Sequence, residues 1–315
     1  NPWPPQERKV GNMHDAIKRM LGRYQVLTTE DAENAVREIL QETALYALWK
    51  GGFFEEAAFY GGSSLRILQG LDRYSEDLDF SLLEPNAGFS FDPFRERVVR
   101  TMEELGVQVD FVPHEKTRES AVQSAFLKAE TLGQMLLFEI PREILAGFPP
   151  GKRLKIKLEV DTNPPRGFET ALFPVLLPIP FPVRSYREPF AFAGKMHAVL
   201  YRKWKTRVKG RDWYDMVWFL GRKTTLDLPH LEKRMRASGD WTGEKPLSTI
   251  DFFERYASAV ESLDIRQAIR DVSPFLKSPQ DLDAVWSRSF FQSLTGLFRF
   301  QPETGEIPSQ REASA

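Results

Sequence analysis

The segment FYGGSSLRILQGLDRYSEDLDFSLL, residues Phe59–Leu83, joins a glycine–serine turn to two closely spaced carboxylates. Leucines recur at helical spacing after the turn, which predicts a short amphipathic helix. The next residues alternate between polar and apolar, and this period of two predicts a strand with Asp77 and Asp79 on one face. Between Ser63 and Asp77 the chain makes one helix and a turn. We therefore expect the turn and both carboxylates at the same end of a sheet.

The composition excludes several kinds of chemistry. The chain has 315 residues and no cysteine, which excludes disulfides, thiolate metal sites and a cysteine nucleophile and fits a reducing cytoplasm. The formal net charge is −1, so a nucleic-acid or membrane partner can be inferred only from local clusters of charge. The histidines are scattered and form no zinc-binding pattern, and no Walker-type phosphate loop occurs.

Apolar stretches do not predict a membrane protein. The longest, Ala171–Val183, is interrupted by prolines and is too short to cross a bilayer as a helix. The first residues, NPWPPQERKV, are polar and rich in proline, unlike a signal peptide. We expect a soluble cytoplasmic protein without a membrane partner.

Periodicity predicts an α/β (α+β) protein with two domains and a tail. A long helix begins after Thr28, an N-cap residue with Asp31 three positions later, and ends at Gly51. The segment RLKIKLEVD alternates and predicts a second strand. The predicted parts are a mixed-sheet domain with an N-terminal helical arm over residues 1–188, a helical domain over 189–300, and a disordered tail over 301–315.

The glycine–serine turn has the features of a phosphate-binding site. Gly61 and Gly62 allow the backbone to approach a ligand closely, and Ser63 and Ser64 lie at the start of a helix. The N–H groups and the positive end of the helix dipole favour an anion at such a position. The alternative is a tight turn that only connects two elements.

The two aspartates have the features of a metal site. Asp77 and Asp79 are two residues apart on a strand, so both carboxylates project from the same face. Their repulsion is tolerated mainly when a cation lies between them, and oxygen ligands suit Mg²⁺ or Mn²⁺. Two such ions can hold the attacking and leaving oxygens of a phosphoryl displacement. The alternative is a polar strand face in water.

A site of this kind needs a third acid from a neighbouring strand. Glu159 and Asp161 share one face of KIKLEVD, and either can supply the carboxylate; we favour Glu159 as the third metal ligand. The alternative is a solvated strand face on which these acids alternate with Lys155 and Lys157. Together, the turn and the paired aspartates point to a nucleoside triphosphate and a divalent metal ion.

Three motifs resemble a known family. The stretch FYGGSSLRILQGLDRYSEDLDFSL looks like the G-S…D-x-D motif of DNA-polymerase-β-like nucleotidyltransferases, and RYSEDLDF is similar to the AbiEii/AbiGii toxins of abortive-infection and type IV toxin–antitoxin systems. The block FAGKMHAVLYRKWKTRVKGRDWYDMVWFL, residues Phe192–Leu220, resembles the family's later lysine and K-G-R-D motifs. KLEVDTNPP stands where the family has its middle motif. The resemblance spans Tyr60–Leu220.

The resemblance implies a fold, an activity and roles for the matching residues. The fold is a nucleotidyltransferase fold in the N-terminal domain, followed by helices. The implied roles are triphosphate binding for Gly62 and Ser63, metal binding for Asp77 and Asp79, phosphate contact for Lys195, and an essential acid at Asp212. In the middle motif both Glu159 and Asp161 stay open.

The residues themselves allow a second interpretation of the later motifs. Lys195 lies on an otherwise apolar helix face between Phe192 and Val199, so it either extends to solvent or reaches into a cleft. Asp212 lies in the first turn of the next helix, where an acid is also favourable as a cap or as a partner of the helix dipole. The resemblance favours a functional role for both.

The same region contains the densest cluster of basic residues. Cations bind phosphates and an aromatic ring stacks on bases, so this cluster is a candidate RNA-binding patch; the alternative is a solvated loop. Its residues are Arg202, Lys203, Trp204, Lys205, Arg207, Lys209 and Arg211.

The prediction from these observations is a metal-dependent nucleotidyltransferase toxin. A hydroxyl attacks the α-phosphorus of the triphosphate and pyrophosphate leaves, with Lys195 offsetting charge and Glu159 or Asp161 helping to remove the proton. The resemblance implies RNA as acceptor, in particular the 3′ end of tRNA, with CTP or UTP as donor, translation as the target and an antitoxin as partner. The alternatives are a nucleotidyltransferase that modifies a protein or small molecule, and a catalytically silent nucleotide- or RNA-binding module.

Overall fold

A computed structural model of the protein describes residues 15–113, 121–130, 140–149, 151–201, 208–277 and 282–302. Within these residues the chain forms two compact units. The first contains the residues up to Pro164 together with Thr170–Tyr186, and the second contains Pro165–Glu169 and the residues from Arg187 onwards. Of the predicted disordered tail, residues 303–315 lie outside the described residues.

The first unit contains helices and a sheet. Its helices are α1 (Asp15–Leu21), α2 (Thr29–Lys50), α3 (Gly61–Gln69), α4 (Asp92–Glu104) and α5 (Arg142–Leu145). Its strands are β1 (Ala57–Tyr60), β2 (Leu78–Leu82), β3 (Asp110–Pro113), β4 (Val122–Glu130), β5 (Arg153–Asp161), β6 (Thr170–Val175) and β7 (Phe181–Tyr186). The predicted α/β class with a mixed sheet flanked by helices is confirmed.

The strands of the first unit form one mixed sheet in the order β3-β4-β5-β2-β1-β7-β6. β2 runs parallel to β5 and β1 runs parallel to β7, whereas the other neighbours are antiparallel. The central strands β5, β2 and β1 therefore bring distant parts of the sequence side by side. The Pro-rich stretch that was expected only to exclude a membrane helix forms β6 and β7. Proline is tolerated in β6 because this is an edge strand.

Burial separates the two faces of the sheet. Leu154, Ile156, Leu158 and Val160 of β5 are buried, whereas the residues between them are half-buried or exposed. The alternation predicted for this strand is confirmed. Helix α2 packs against α4 and also contacts β5, so the apolar side chains of the sheet pack under these helices. Helix α2 begins after Thr28 with the predicted capping box to Asp31, which is confirmed.

The second unit is mainly helical. Its helices are α6 (Glu188–Tyr201), α7 (Gly210–Gly221), α8 (Leu228–Ser238), α9 (Thr249–Ser262), α10 (Ile265–Val272), α11 (Leu282–Val285) and α12 (Arg288–Ser293). Two short parallel strands, β8 (Thr225–Leu226) and β9 (Arg299–Phe300), interrupt the helical pattern. Among the helices of the described residues, none is both long and apolar enough to cross a membrane.

Candidate active site

Two of the predicted acids face each other across neighbouring strands. Asp79 on β2 is in register with Glu159 on the parallel strand β5 and with Tyr60 on the antiparallel strand β1. Side chains in register point to the same face of a sheet, so Asp79 and Glu159 share a face. Asp77 lies immediately before β2, which begins one residue later than the alternation predicted.

The surroundings of Asp77 concentrate negative charge. The pKa of its carboxyl is raised to about 6, first by burial and then by the charges of Asp79, Glu76 and Glu159, with Lys157 acting in the opposite direction. A carboxyl whose ionised form is disfavoured by its neighbours is a favourable position for a cation. The pair Asp77–Asp79 therefore fits a divalent ion in both charge and ligand type.

The two candidates for the third acid have different partners. Glu159 Oε1 pairs with Lys157 Nζ at 2.6 Å. Asp161 lies two residues further along β5, in register with Ser81, and its Oδ1 accepts a hydrogen bond from the Asn163 backbone N–H at 3.0 Å. Glu159 is thus the nearer acid to Asp79. In the described part of the chain, no group of three or more acidic, histidine or cysteine side chains is arranged to hold a metal ion.

The glycine–serine turn is tied directly to the aspartates. Helix α3 begins at Gly61, and the buried Ser63 hydroxyl donates a hydrogen bond to the Asp77 carbonyl oxygen. Ser64 Oγ donates to the Gly61 carbonyl oxygen at 2.9 Å. The Ser63 side chain therefore holds the end of the turn against the segment that carries Asp77, and the backbone of the helix start is the part suited to a phosphate.

The glycines of the turn make room for side chains of the site. Gly61 has φ of 81°, and a Cβ built on it would meet the Asp79 carboxylate and lie 3.0 Å from the Asp79 Cβ. A Cβ on Gly62 would lie 2.7 Å from Arg73 Nη2 and 3.1 Å from Ser75 Oγ. Glycine is thus required at both positions, because the Asp79 side chain approaches Gly61 and the Arg73 side chain approaches Gly62.

Arg73 is a residue of this site that the sequence did not reveal. It is 2% exposed, and its Nη1 donates a hydrogen bond to the Tyr74 carbonyl oxygen at 2.9 Å. The guanidinium lies beside the helix start at Gly62, where it adds a fixed positive charge next to the expected phosphate position. The available signal was its place within RYSEDLD, the motif that carries both aspartates.

Helix α2 supports the segment that leads to Asp77. Gln41 Nε2 donates a hydrogen bond to the Ser75 carbonyl oxygen at 3.0 Å, and Arg37 Nη1 forms an ion pair with Glu76 Oε1 at 3.0 Å. Contacts at the two residues that precede Asp77 fix this segment to a long helix, as a preorganised site requires.

The second unit contains a buried cluster of one lysine and two acids. Lys195 Nζ on α6 lies 2.9 Å from Asp212 Oδ1 and 2.7 Å from Asp215 Oδ2, both on α7. The side chains of the two acids are 3% and 0% exposed, and that of Lys195 is 13% exposed. The structure thus brings together the two residues that the later motifs singled out. Asp215 was missed by the sequence reasoning, although its spacing of three from Asp212 places both on one helix face.

The predicted RNA-binding patch is only partly described. Its residues 202–207 lie outside the described residues. Arg211 is 15% exposed in its side chain, lies 3.6 Å from Asp271 Oδ2 and has its guanidinium 4.0 Å from the centre of the Phe275 ring. Lys209 precedes α7 and is half-buried. Arg211 therefore packs within the second unit.

Comparison with known protein families assigns the chain to the nucleotidyltransferases. The profile of a family described as nucleotidyl transferase AbiEii toxin, type IV toxin–antitoxin system, matches residues 43–288. The match covers well over half of the chain, and the chain belongs to this family. The resemblance found in the motifs and the predicted enzyme class are thereby confirmed. Membership implies a nucleoside triphosphate as substrate and an antitoxin as partner.

Solved structures from Helicobacter pylori show a distant likeness. The protein JHP933 has 16% sequence identity and a TM-score of 0.45, with 83% of this chain and 88% of that chain covered. A second protein, described provisionally as a nucleotidyltransferase, has 16% identity and a TM-score of 0.42, with 83% and 91% covered. No curated protein matches the sequence significantly.

Proposed function

We propose that this protein transfers a nucleoside monophosphate from a nucleoside triphosphate to an RNA acceptor, the 3′ end of tRNA, and thereby blocks translation. The observation that carries the donor half of the proposal is the register of Asp79 with Glu159, beside a helix start that the Ser63 hydroxyl ties to Asp77. Phosphate-binding backbone and metal-binding carboxylates are thus adjacent. The RNA acceptor rests on the family.

In the proposed reaction the acceptor hydroxyl oxygen bonds to the α-phosphorus, and the bond from that phosphorus to the bridging oxygen of pyrophosphate breaks. The backbone N–H groups at the start of α3 bind the phosphates, and the guanidinium of Arg73 adds positive charge beside them. Glu159 accepts the proton of the hydroxyl, since its carboxylate lies on the same face as Asp79. Ser63 acts by holding Asp77 in place.

A divalent ion, Mg²⁺ or Mn²⁺, would be held by Asp77 and Asp79 with Glu159 as third ligand. When bound, such an ion neutralises phosphate charge and favours ionisation of the attacking hydroxyl. Asp161 is the weaker candidate because its carboxylate accepts a hydrogen bond from the Asn163 backbone.

Lys195 has a proposed electrostatic role toward the nucleotide phosphates. Asp212 and Asp215 hold its ammonium between them at 2.9 and 2.7 Å, which fixes its side chain within the second unit. Asp212 and Asp215 are then positioning residues that act through Lys195. The proposed contact of Lys195 with the phosphates rests on the family's lysine motif alone.

The test is incubation of the purified protein with total tRNA, Mg²⁺ and each α-³²P-labelled nucleoside triphosphate separately. We expect label on the RNA with CTP or UTP and none with Asp77→Ala, provided that circular dichroism shows the variant to be folded. Label on a protein or small molecule, with RNA unlabelled, would contradict the RNA acceptor while retaining the enzyme class. Nucleotide binding without transfer to RNA, protein or small molecule would contradict the proposed transfer reaction.

A matched pair of variants separates the candidates for the third acid. Glu159→Gln and Asp161→Asn remove one charge each from the same face of the same strand. We expect Glu159→Gln to lose activity by about 100-fold or more, and Asp161→Asn to stay within a few-fold of the wild type. The opposite order would assign the role to Asp161.

A further inference from the structure

A strip of positive charge extends along the sheet face that carries Asp79 and Glu159. Arg153, Lys155 and Lys157 occupy alternate positions of β5, so they share the face of Glu159. Lys128 of β4 is in register with Lys155 and lies on the same face. These four residues, Lys128, Arg153, Lys155 and Lys157, are called the basic strip.

The basic strip leads away from the candidate active site. Lys157 pairs with Glu159, and the strip ends at Arg153, about 20 Å from Glu159 at roughly 3.3 Å per strand residue. Successive cations on β5 are about 6.6 Å apart, which is close to the spacing of phosphates along an extended nucleic-acid strand. At the far end Arg153 approaches Asp110 at 3.8 Å, and Asp110 lies on β3 in register with Lys128.

Two cations face each other at the centre of the strip. Lys128 and Lys155 are directly opposite each other on adjacent strands, and like charges in this arrangement destabilise a sheet. Asp110 of β3 is in register with Lys128 on its other side and offsets part of this repulsion. Lys155 is exposed and Lys128 half-buried. Among the described residues neither forms an ion pair, whereas Lys157 and Arg153 each have an acidic partner. An anion bound between the two lysines would remove this repulsion.

We propose that the basic strip binds the phosphate backbone of the acceptor RNA strand and directs its 3′ end to Asp79 and Glu159. This inference rests on the proposed function and adds to it the surface that holds the acceptor. Three features favour a single strand over other anions. The charge is linear, the cations repeat at phosphate spacing, and the strip is continuous with the carboxylates that face the reacting hydroxyl.

The test compares two charge-matched double variants of the full-length protein. Lys128→Gln/Lys155→Gln removes the central pair of the strip. Lys50→Gln/Lys245→Gln removes two exposed lysines that lie outside it, one at the end of α2 and one in the second unit. Binding of a short fluorescein-labelled single-stranded RNA without nucleotide is followed by anisotropy between about 50 and 200 mM salt. Thermal unfolding checks that each variant is folded.

We expect the strip variant to bind the RNA about tenfold more weakly than the wild type and the control variant. The slope of log affinity against log salt should fall in magnitude by about 1.4, because each phosphate contact of a single strand contributes about 0.7. In transfer assays KM for RNA should rise while KM for the nucleotide stays unchanged. The melting temperature of the strip variant should stay close to that of the wild type, because the variant loses both the like-charge pair and the attraction of Lys128 to Asp110.

Equal affinity and equal salt slopes for the two double variants would overturn the inference. If the wild type labels RNA and the strip variant keeps its KM for RNA, the inference fails and the proposed function stands. If the wild type neither binds nor labels RNA but labels an acidic protein, both fail together.

Discussion

Substitution of Gly61 tests whether the turn exists to admit the Asp79 carboxylate. Gly61→Ala places a Cβ at a residue with φ of 81°, where it would meet the carboxylate and lie 3.0 Å from the Asp79 Cβ. Gly70→Ala is the matched control. It lies at the other end of the same helix with φ of 79°, and a Cβ there would have no neighbour within 4 Å.

The two variants share one energetic penalty and differ in another. An alanine in the left-handed region costs about 1–2 kcal/mol relative to its preferred conformations, and this applies to both. Overpacking against Asp79 adds about 1–3 kcal/mol in Gly61→Ala alone, since the contact involves the Cβ of Asp79 as well as its mobile end. We expect destabilisation of about 2–5 kcal/mol for Gly61→Ala and about 1–2 kcal/mol for Gly70→Ala.

Activity should separate the variants more sharply than stability. Displacement of Asp79 by about 1 Å is expected to reduce turnover by about 100-fold in Gly61→Ala, because the proposed reaction depends on the position of this carboxylate. Gly70→Ala should stay within a few-fold of the wild type. Urea unfolding gives the free energies, and pyrophosphate release at saturating nucleotide and acceptor gives turnover.

The reasoning is refuted if the two variants lose the same activity. It is also refuted if Gly61→Ala is as active as the wild type while folded at the assay temperature. In the first case backbone strain in α3 would be the cause, and in the second the Asp79 carboxylate would have no role that depends on its position.

Three further predictions have directions fixed by burial and charge. Lys195→Met should destabilise by about 3–5 kcal/mol in urea unfolding, because it leaves buried carboxylates without their cation, and Asp215→Asn in the same chain should recover part of the loss. Ser63→Ala should cost about 1–3 kcal/mol and lower turnover, because the Asp77 carbonyl loses its donor. Burial raises the pKa of Glu42 from 4.5 to about 7 against the opposing effect of Arg23, so stability present below pH 4.5 should fall as the pH rises through about 7. Glu42→Gln should flatten that dependence in melts at pH 5 and pH 8.

Each of these predictions has an outcome that contradicts it. A Lys195→Met protein as stable as the wild type would show that the two acids do not need the cation. A Ser63→Ala protein with unchanged turnover would show that the hydrogen bond to the Asp77 carbonyl is not needed for activity. A Glu42→Gln protein whose stability still falls between pH 5 and pH 8 would assign the titration to another group.

Local patterns were sufficient for the elements that carry the donor site. The capping box at Thr28 and the alternation of β5 appear in the structure as predicted, because both depend on residues close in sequence. Strands β6 and β7 were not predicted, since their prolines argue against regular structure, and only the position of β6 at the sheet edge makes its proline acceptable. Strand position within a sheet is a tertiary property.

Arg73 and Asp215 show why the site itself was only partly predictable. Both are buried charges, and burial of an arginine or an aspartate is not visible from composition because these residues are usually exposed. Their partners come from elsewhere in the chain: Gly62 lies beside Arg73, and Lys195 on another helix pairs with Asp215. Sequence spacing indicated where acids and cations occur, but the contacts between them follow from packing.

The choice between Glu159 and Asp161 illustrates the same limit in a single strand. A period of two puts both acids on one face, so the alternation cannot distinguish them. The pairing of β2 with β5 distinguishes the two acids, because it sets Asp79 opposite Glu159 and Ser81 opposite Asp161. A shift of the register by two residues would exchange their roles without changing one local pattern. In the proposed site the choice of the third acid therefore depends on strand pairing, and the variant pair on β5 tests that choice through activity.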